Sequence, residues 1–258
     1  MPTFLFDKTI FGPVHSRRLG VSLGVNLLPN DRKLCSFDCI YCECGFGQKV
    51  KGKAQLPTRQ QVREQLHQKL TEMRLDGQLP DVITFAGYGE PTLHPQFADI
   101  IDDTLQLRTE FCPKARVAVL SNASRLNDKS VVEALRRIDD NILKIDSAFE
   151  STVAMLDQPN YAYSTEKVVA QIAQFGSNLA VQTMFARWTL NGVHYDNSTD
   201  KEVEAWIECI KRINPPRVMI YTIDRDTPLK EMQKVDKRRL NEIADMVRPL
   251  VKEVSVSY

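Results

Sequence analysis

Three cysteines stand close together in the segment CSFDCIYC at residues 35–42. Their spacing is CxxxCxxC, and an aromatic residue, Tyr41, comes just before the third cysteine. Cysteine thiolates are the usual protein ligands of iron–sulfur clusters. Three of them can bind three irons of a cubane and leave the fourth iron open, and an open position distinguishes a reactive metal site from a closed structural one. The motif therefore predicts a reactive [4Fe–4S] centre bound by Cys35, Cys39 and Cys42.

Cys44, two residues further on, makes a second interpretation possible. Together with the three cysteines of the motif it could bind zinc as a structural knot. The closing CxC spacing is poor for zinc, and the sequence has no second CxxC pair elsewhere. Because three thiolates suffice for an open cluster, we expect Cys44 to be an inert neighbour. Cys112 and Cys209 are expected to be small buried hydrophobes.

The rest of the chain must supply a scaffold for this segment. It has 258 residues, of which 43% are hydrophobic and 26% charged, with a net charge of +1. This is ordinary globular composition, without a bulk charge that favours nucleic acid. Four of the six cysteines fall within ten residues, which in a reducing compartment indicates metal binding rather than disulfides. Without a signal peptide or a long apolar window, we expect a cytoplasmic protein that does not span a membrane.

Short apolar runs alternate with helical patterns along the chain. The predicted strands are Val21–Leu27, Val82–Phe85, Val117–Leu120, Leu143–Asp146, Ala180–Phe185 and Val218–Tyr221. Capping boxes at Thr58–Gln61 and Thr199–Glu202 begin two of the helices. Nearly continuous apolar strands separated by helices predict an α/β fold, a parallel sheet with right-handed crossovers. A last run, Val251–Val256, is expected to add an edge strand.

Two closures of this sheet agree with the periodicity: an open doubly wound sheet and a curved (β/α)6 partial barrel. In both, ligands bind beyond the carboxyl ends of the strands. The cysteine motif follows the first predicted strand and so lies at that end. We expect one domain over residues 1–258, with an N-terminal segment 1–20 leading into the first strand and a cluster loop over residues 30–57.

The CxxxCxxC motif with its penultimate aromatic resembles the signature of the radical S-adenosylmethionine (SAM) superfamily. The resemblance implies a (β/α)6 partial TIM barrel with parallel strands, and a [4Fe–4S] cluster and SAM as cofactors. It also implies reductive cleavage of SAM to a 5′-deoxyadenosyl radical that abstracts hydrogen from a substrate. An electron donor such as flavodoxin or ferredoxin is implied as a partner, and Tyr41 is expected to contact the adenine of SAM.

A second motif, GYGEPT at residues 87–92, follows the second predicted strand. It resembles the family's GGE motif, which contacts the amino group of SAM. Gly87, Tyr88, Gly89 and Glu90 are therefore expected at the cofactor. Glycines let backbone carbonyls approach an ammonium closely, and the glutamate supplies charge.

Polar residues lie at or near the ends of three further predicted strands. In the family such positions often contact SAM or substrate, so Ser121, Asn122, Asp146 and Gln182 are expected to bind the cofactor. Other roles stay open at these positions. Ser121 and Asn122 could form a helix-capping turn, and the pairs at residues 146–147 and 182–183 could be buried polar groups that satisfy one another.

Much of the chain resembles the wyosine-type tRNA synthases, which build a tricyclic base from methylated guanine and pyruvate. The matching segments are residues 12–26, 85–94 and 220–225. Those enzymes carry a second cluster on upstream cysteines, whereas this chain has none before Cys35. The family's C-terminal extension is not found either, so we do not expect the pyruvate reaction. We expect a compact relative whose substrate is a nucleotide in RNA, a peptide or protein, or a small molecule.

Several other polar residues have two possible roles. His15, Arg17 and Arg18 could line the pocket or be solvated loop charges. The lysines of residues 49–53 could contact RNA phosphates, although solvated lysines are commoner. His94 is expected to cap a helix or border the pocket. A non-catalytic zinc or iron–sulfur sensor is the alternative to an enzyme.

Overall fold

A computed structural model of the protein describes residues 8–16, 19–47 and 55–258. The strands are β1 (Ile10–Ser16), β2 (Gly20–Val25), β3 (Val82–Phe85), β4 (Arg116–Ser121), β5 (Asp140–Lys144), β6 (Leu179–Met184), β7 (Ala186–Leu190), β8 (Val193–Asp196), β9 (Arg217–Tyr221), β10 (Met232–Lys234) and β11 (Glu253–Ser257). The helices are α1 (Arg59–Leu75), α2 (Phe97–Phe111), α3 (Lys129–Arg137), α4 (Glu150–Leu156), α5 (Thr165–Ile172), α6 (Asp200–Ile213) and α7 (Lys237–Val247).

Among the described residues, the main sheet has eight strands in the order β1-β2-β3-β4-β5-β6-β9-β11. The pair β1–β2 is antiparallel, and all other neighbours are parallel. Parallel strands thus follow one another in chain order without the reversal that a doubly wound sheet requires. Of the two predicted closures, this strand order agrees with the partial barrel and not with the open doubly wound sheet.

The inner face of the curved sheet carries a small apolar layer. Five neighbouring strands contribute one buried residue each to it: Val82, Ala118, Ile142, Ala180 and Met219. The alternate residues of the strands face outward and pack with the helices in the main core. Helices therefore cover the outer face of the sheet. The inner face lines the interior of the barrel as far as the carboxyl ends of the strands.

Local sequence explains where the first helix begins. Thr58 accepts a hydrogen bond from the N–H of Gln61, and the Gln61 side chain accepts one from the N–H of Thr58, so the predicted capping box is confirmed. At α6 only half of the prediction is right. Thr199 caps the helix, but the carboxylate of Glu202 accepts hydrogen bonds from Ser147 and Thr152 instead.

Three features differ from the predicted pattern. Residues 10–16, expected as part of a lead-in segment, form β1. The fourth strand, expected at Leu143–Asp146, is Asp140–Lys144, so Asp146 lies in the loop beyond it. The short helix α4 was not predicted, since a helix of seven residues shows less than two full turns of the apolar repeat. The predicted edge strand is confirmed as β11, which pairs with β9.

A second, three-stranded antiparallel sheet, β10-β7-β8, was also missed. Its hairpin turns at Asn191-Gly192, where both residues have positive φ, and Asn-Gly is a strong hairpin signal in sequence. Trp188 of β7 packs with Ile40 and Leu156 beside the cysteine segment. The small sheet therefore supports the site. None of the described helices is long and apolar enough to cross a membrane.

Candidate functional site

The segment that carries the cysteines is anchored to the end of β3. Leu34 forms a parallel bridge with Gly89. Its N–H donates to the carbonyl of Tyr88 at 2.8 Å, and its carbonyl accepts from the N–H of Glu90 at 3.1 Å. Gly89 has a φ of +138°, and a Cβ there would lie 1.9 Å from the carbonyl oxygen of Leu34. Only glycine permits this close approach.

The other side of the cysteine segment pairs with residues 156–160, which we call the strap. The N–H of Asp38 donates to the carbonyl of Asp157 at 3.0 Å, and the N–H of Ile40 donates to the carbonyl of Leu156 at 3.0 Å. The cysteine segment is therefore held between β3 and the strap. It lies at the carboxyl ends of the parallel strands, where the sequence predicted a site.

Two of the cysteine sulfurs accept hydrogen bonds, from the cysteine segment itself and from residues at the ends of β4 and β5. Sγ of Cys35 accepts from the N–H of Phe37 at 3.4 Å and from Nδ2 of Asn122 at 3.5 Å. Sγ of Cys39 accepts from Nζ of Lys144 at 3.1 Å. All the thiols of the motif are half-buried. Residues from the ends of β4 and β5 thus reach the sulfurs directly.

The pKa values of the thiols differ with their surroundings. Burial raises the pKa of Cys35 to about 11, and the charge of Glu90 contributes. Burial also raises the pKa of Cys39 well above its ordinary value. In contrast, the neighbouring thiol of Cys44 and the charge of Lys33 lower the pKa of Cys42 to about 6. Iron would bind these groups as thiolates, so loading of the site releases protons.

The donor set fits a cubane better than a single ion. Within residues 8–16, 19–47 and 55–258, no three His, Cys, Asp or Glu side chains are arranged to bind one metal ion. A zinc knot needs four ligands around one ion, whereas in a cubane each thiolate binds a different iron. Two lysines with largely buried side chains lie beside the sulfurs: Lys33 interacts with Cys42 and Lys144 with Cys39. They offset negative charge that thiolates and inorganic sulfide would bring.

The predicted turn at residues 87–90 lies against the cysteine segment. Gly87 has a φ of +151°, and a Cβ there would lie 2.4 Å from Oδ1 of Asn26. That oxygen also accepts from the N–H of Tyr88 at 3.2 Å. The carbonyl of Gly87 accepts from the thiol of Cys44 at 3.2 Å. The two motifs that the sequence singled out are therefore in direct contact.

Glu90 is buried, and its carboxylate bonds to its own chain. Oε1 accepts from the N–H of Thr92 at 3.1 Å and from the hydroxyl of Ser121 at 2.9 Å. Oε2 accepts from the N–H of Asn122 at 2.7 Å. Burial raises the pKa of Glu90, and these hydrogen bonds oppose the rise. The carboxylate joins β3 to β4, and its contact with the SAM amino group stays a prediction.

Ser121 and Asn122 form a turn stabilised by side chains. It is not the helix-capping turn expected as their alternative role, because Asp128 caps α3. The hydroxyl of Ser121 accepts from the N–H of Ala123 at 3.1 Å. Oδ1 of Asn122 accepts from the N–H of Ser124 at 3.0 Å, and its Nδ2 donates to Oγ of Ser36 at 3.0 Å. The turn precedes α3 rather than capping it. A contact of either residue with SAM stays a prediction.

Asp146 connects three elements around the interior of the barrel. Its Oδ2 accepts from the hydroxyl of Tyr41, and its Oδ1 accepts from the N–H of Met184 at 2.9 Å. Nζ of Lys144 lies 3.3 Å from Oδ2. Gln182 belongs to β6, where it is 9% exposed and alternates with outward-facing residues. The predicted cofactor contacts of Tyr41, Asp146 and Gln182 stay predictions.

Ser147 and Thr183, the neighbours of Asp146 and Gln182, are buried polar groups as expected. Their partners lie outside the two pairs, so the expectation that the paired residues satisfy one another is wrong. Thr183 donates to the carbonyl of Ile145 at 2.6 Å and accepts from Nε1 of Trp206 at 3.0 Å. Ser147 donates to Glu202 at 2.6 Å. These contacts stabilise the packing of α6 against the sheet.

The sequence interpretation missed Lys144 and Asp157. Nζ of Lys144 forms ion pairs with Asp157 and Asp146 and lies 5.0 Å and 4.9 Å from the ring centres of Phe37 and Tyr41. A signal was present for the lysine, because it is the charged residue in the strand sequence NILKI at residues 141–145. A charge in a strand covered on both faces needs a partner. No sequence signal was available for Asp157, because it follows α4, a helix that was not predicted.

The remaining candidates lie further away or outside the described residues. His15 is exposed. Arg17 and Arg18 and the lysines of residues 49–53 fall outside the described residues. Nδ1 of His94 accepts from the N–H of Gln96 at 3.1 Å just before α2. No side chain caps that helix, so His94 is not its cap.

Comparison with known families identifies this arrangement. The family model "Radical SAM superfamily" matches residues 33–178, which include the cysteine motif, the turn after β3 and strands β3 to β5. The chain belongs to the radical SAM superfamily. Enzymes of this superfamily use a [4Fe–4S] cluster and SAM, so the cofactors predicted from the sequence are those of the family. The finer resemblance to the wyosine-type synthases stays a prediction.

Several curated proteins are similar to this radical SAM chain. It is 31% identical over 223 residues to a "GTPase Obg" of Brachyspira hyodysenteriae, covering 86% of this chain and 31% of that protein. It is 29% identical over 221 residues to a UPF0026 protein of Helicobacter pylori, covering 86% and 68%. A UPF0026 protein of Synechocystis is 29% identical over 227 residues, with 86% and 77% covered. The chain therefore spans less than a third of the Brachyspira protein.

Solved radical SAM structures share the fold. A radical SAM methyltransferase from Sphaerobacter thermophilus has a TM-score of 0.67 at 14% identity, covering 92% of this chain and 66% of that one. SuiB of Streptococcus suis bound to S-adenosylmethionine has a TM-score of 0.61 at 15% identity, covering 91% and 49%. The predicted partial barrel is confirmed.

Proposed function

We propose that this protein is a radical SAM enzyme in which Cys35, Cys39 and Cys42 bind a [4Fe–4S] cluster. When bound, the cluster would supply one electron that cleaves the S–C5′ bond of SAM, giving methionine and a 5′-deoxyadenosyl radical that removes hydrogen from a substrate. The observation that carries the proposal is the position of the three thiols. They lie on one segment at the carboxyl ends of the strands, and two of them, Cys35 and Cys39, contact residues at the ends of β4 and β5.

The residues around the thiols support binding of SAM at the same place. The carbonyl of Gly87 faces the cysteine segment, because it accepts from the thiol of Cys44, and a carbonyl can equally accept from an ammonium. Tyr41, Asp146 and Gln182 border the interior above the inner apolar layer. We propose that they orient SAM, while Glu90 stabilises the turn that carries Gly87.

The barrel must also exclude water from the reacting atoms. The strap and the small sheet cover the cysteine segment from one side, through the packing of Leu156 and Trp188 against Ile40. Enclosure of this kind protects reactive intermediates from side reactions. The substrate would enter at the carboxyl ends of the strands.

For the substrate, we propose a nucleotide, in tRNA or free, through the resemblance to the wyosine-type synthases. Exposed Tyr161 lies beside the cysteine segment, with its ring centre 6.1 Å from that of Phe37. An exposed aromatic ring can stack on a base. A peptide or protein substrate, or a small molecule, would give a different result in the test below. A low-potential electron donor of the flavodoxin or ferredoxin class is the proposed partner.

Anaerobic reconstitution tests the chemistry. We expect about four irons and four sulfides per chain, as one cubane requires, and release of 5′-deoxyadenosine with dithionite and SAM. Alanine variants of Cys35, Cys39 and Cys42 should each lose the cluster, whereas the matched variant Cys112→Ala should keep it. Zinc without iron, or a full cluster that leaves SAM intact, would contradict the proposal.

The substrate class needs a separate measurement. Deuterium transfer into 5′-deoxyadenosine can be followed with deuterated tRNA, deuterated nucleosides and deuterated peptide mixtures. Label from tRNA or nucleosides supports the nucleotide proposal. Label from peptides alone would instead indicate an enzyme that acts on a peptide or protein substrate.

A further inference from the structure

Lys144 is a largely buried cation inside the barrel. It lies two residues after Ile142 on β5, so its side chain shares the inner face with the apolar layer. The side chain is 13% exposed. A lysine is almost never buried to this degree without paired charges.

The contacts of Lys144 lead toward the cysteine segment. Nζ donates to Sγ of Cys39 at 3.1 Å. It also forms an ion pair with Asp157, the second residue of the strap, and lies 3.3 Å from Oδ2 of Asp146. Two carboxylates therefore hold the ammonium beside one particular sulfur.

Both carboxylates are fixed by other contacts. Asp146 also binds the hydroxyl of Tyr41 and the N–H of Met184, and the carbonyl of Asp157 accepts from the N–H of Asp38 on the cysteine segment. Both aspartates lie within ion-pair distance of Nζ of Lys144. The group beside Cys39 is therefore a charged ammonium in a fixed position.

We propose that Lys144 is a positioning residue that donates to Sγ of Cys39 and raises the reduction potential of the cluster bound there. The inference rests on the proposed function. Hydrogen bonds to the sulfurs and local charge are among the factors that set the potential of iron–sulfur clusters. Reduction by a low-potential one-electron donor adds one negative charge to the cluster, and a nearby cation stabilises the reduced form more than the oxidised form.

The test is a redox titration of the reconstituted protein without SAM, followed by electron paramagnetic resonance. Lys144→Met removes the charge and the donor but keeps a long side chain. We expect it to lower the ratio of reduced to oxidised cluster at a fixed potential by about tenfold, a shift of about 59 mV to more negative potential. Lys144→Arg should restore most of the potential. Lys201→Met, in which the lysine contacts the Phe149 ring away from the cysteines, is the matched control.

A second variant covers the case in which Lys144→Met does not load iron. Asp157→Asn removes one negative charge and leaves the lysine in place, so it should shift the potential in the positive direction. If Lys144→Met loads iron fully and its potential is unchanged, the inference is overturned. If Lys144→Met does not load, an unchanged potential in fully loaded Asp157→Asn overturns it. Weaker SAM binding with no change of potential would overturn it too, and would make Lys144 a cofactor ligand.

The two proposals fail separately. If the unaltered protein loads no cluster or does not cleave SAM, the proposed function is wrong. If it does both and the variants keep their potentials, only the role of Lys144 is wrong.

Discussion

The N–H of Asn122 donates to Oε2 of Glu90 at 2.7 Å, which joins the end of β4 to the turn after β3. Asn122 also extends Nδ2 to Sγ of Cys35. One asparagine thus connects the glycine-containing turn with the first cysteine of the motif. The buried carboxylate of Glu90 accepts from four backbone or hydroxyl donors and so holds the two loops together.

We expect Glu90→Gln to lower the free energy of unfolding by roughly 2 kcal/mol, because a buried donor loses its charged acceptor. The amide has one acceptor oxygen in place of two, so the hydroxyl of Ser121 or the N–H of Asn122 is left without a partner. Urea denaturation of the protein without cluster measures the change. The exposed pair Glu208–Lys211 provides a control, since Glu208→Gln should change stability by less than about 0.5 kcal/mol. If Glu90→Gln and Glu208→Gln have equal free energies of unfolding, the Glu90 carboxylate does not hold the two loops together.

Gly89→Ala should separate the cysteine segment from β3. A Cβ at Gly89 would lie 1.9 Å from the carbonyl oxygen of Leu34, so the backbone must shift. We expect a loss of at least about 2 kcal/mol in stability and less iron per chain after reconstitution. Gly176→Ala is the matched control, because no atom lies within 4 Å of its added Cβ. Normal iron content in Gly89→Ala would show that the bridge is dispensable.

His94 should make stability depend on pH. Burial lowers its pKa below the ordinary value of 6.5, although the Pro57 carbonyl opposes this. The folded protein therefore binds fewer protons than the unfolded chain as pH falls below 6.5. The contribution of neutral His94 to the free energy of unfolding is complete above pH 6.5 and is lost as pH falls toward the lower pKa of the folded state. Protonation also removes the acceptor that Nδ1 offers to the N–H of Gln96.

Melting temperatures of the protein without cluster between about pH 5 and 8 check this expectation, a range that brackets the ordinary histidine pKa. His94→Gln should have a flatter profile than the unaltered protein over this range. His67→Gln, which changes an exposed histidine of α1, should follow the unaltered profile. Parallel profiles for all three proteins would contradict the prediction.

Cys44→Ala should keep the cluster and the cleavage of SAM. Cys44 donates to the carbonyl of Gly87, and we expect loss of this one hydrogen bond to lower stability by about 1 kcal/mol. Iron content and 5′-deoxyadenosine release, measured beside Cys42→Ala, check the prediction. Loss of iron in both variants would instead indicate a site with four thiolates.

Much of the scaffold could be predicted from local patterns. The run Val82–Phe85 is a strand with the predicted bounds, and the box at Thr58 begins α1 as expected. These features depend on neighbouring residues alone. β1 was missed because its pairing with β2 does not follow from the apolar pattern of residues 10–16, which contains a glycine and a proline.

The sequence by itself determined the cysteine triad, the turn at residues 87–90 and the succession of strands and helices, because spacing and apolar period are local properties of the chain. Only the tertiary structure decided which groups reach the sulfurs. Lys144 and Cys39 are 105 residues apart in the chain, and Asn122 and Cys35 are 87 apart. Such contacts depend on the register of the strands, and a shift of one residue would turn these side chains to the opposite face of the sheet.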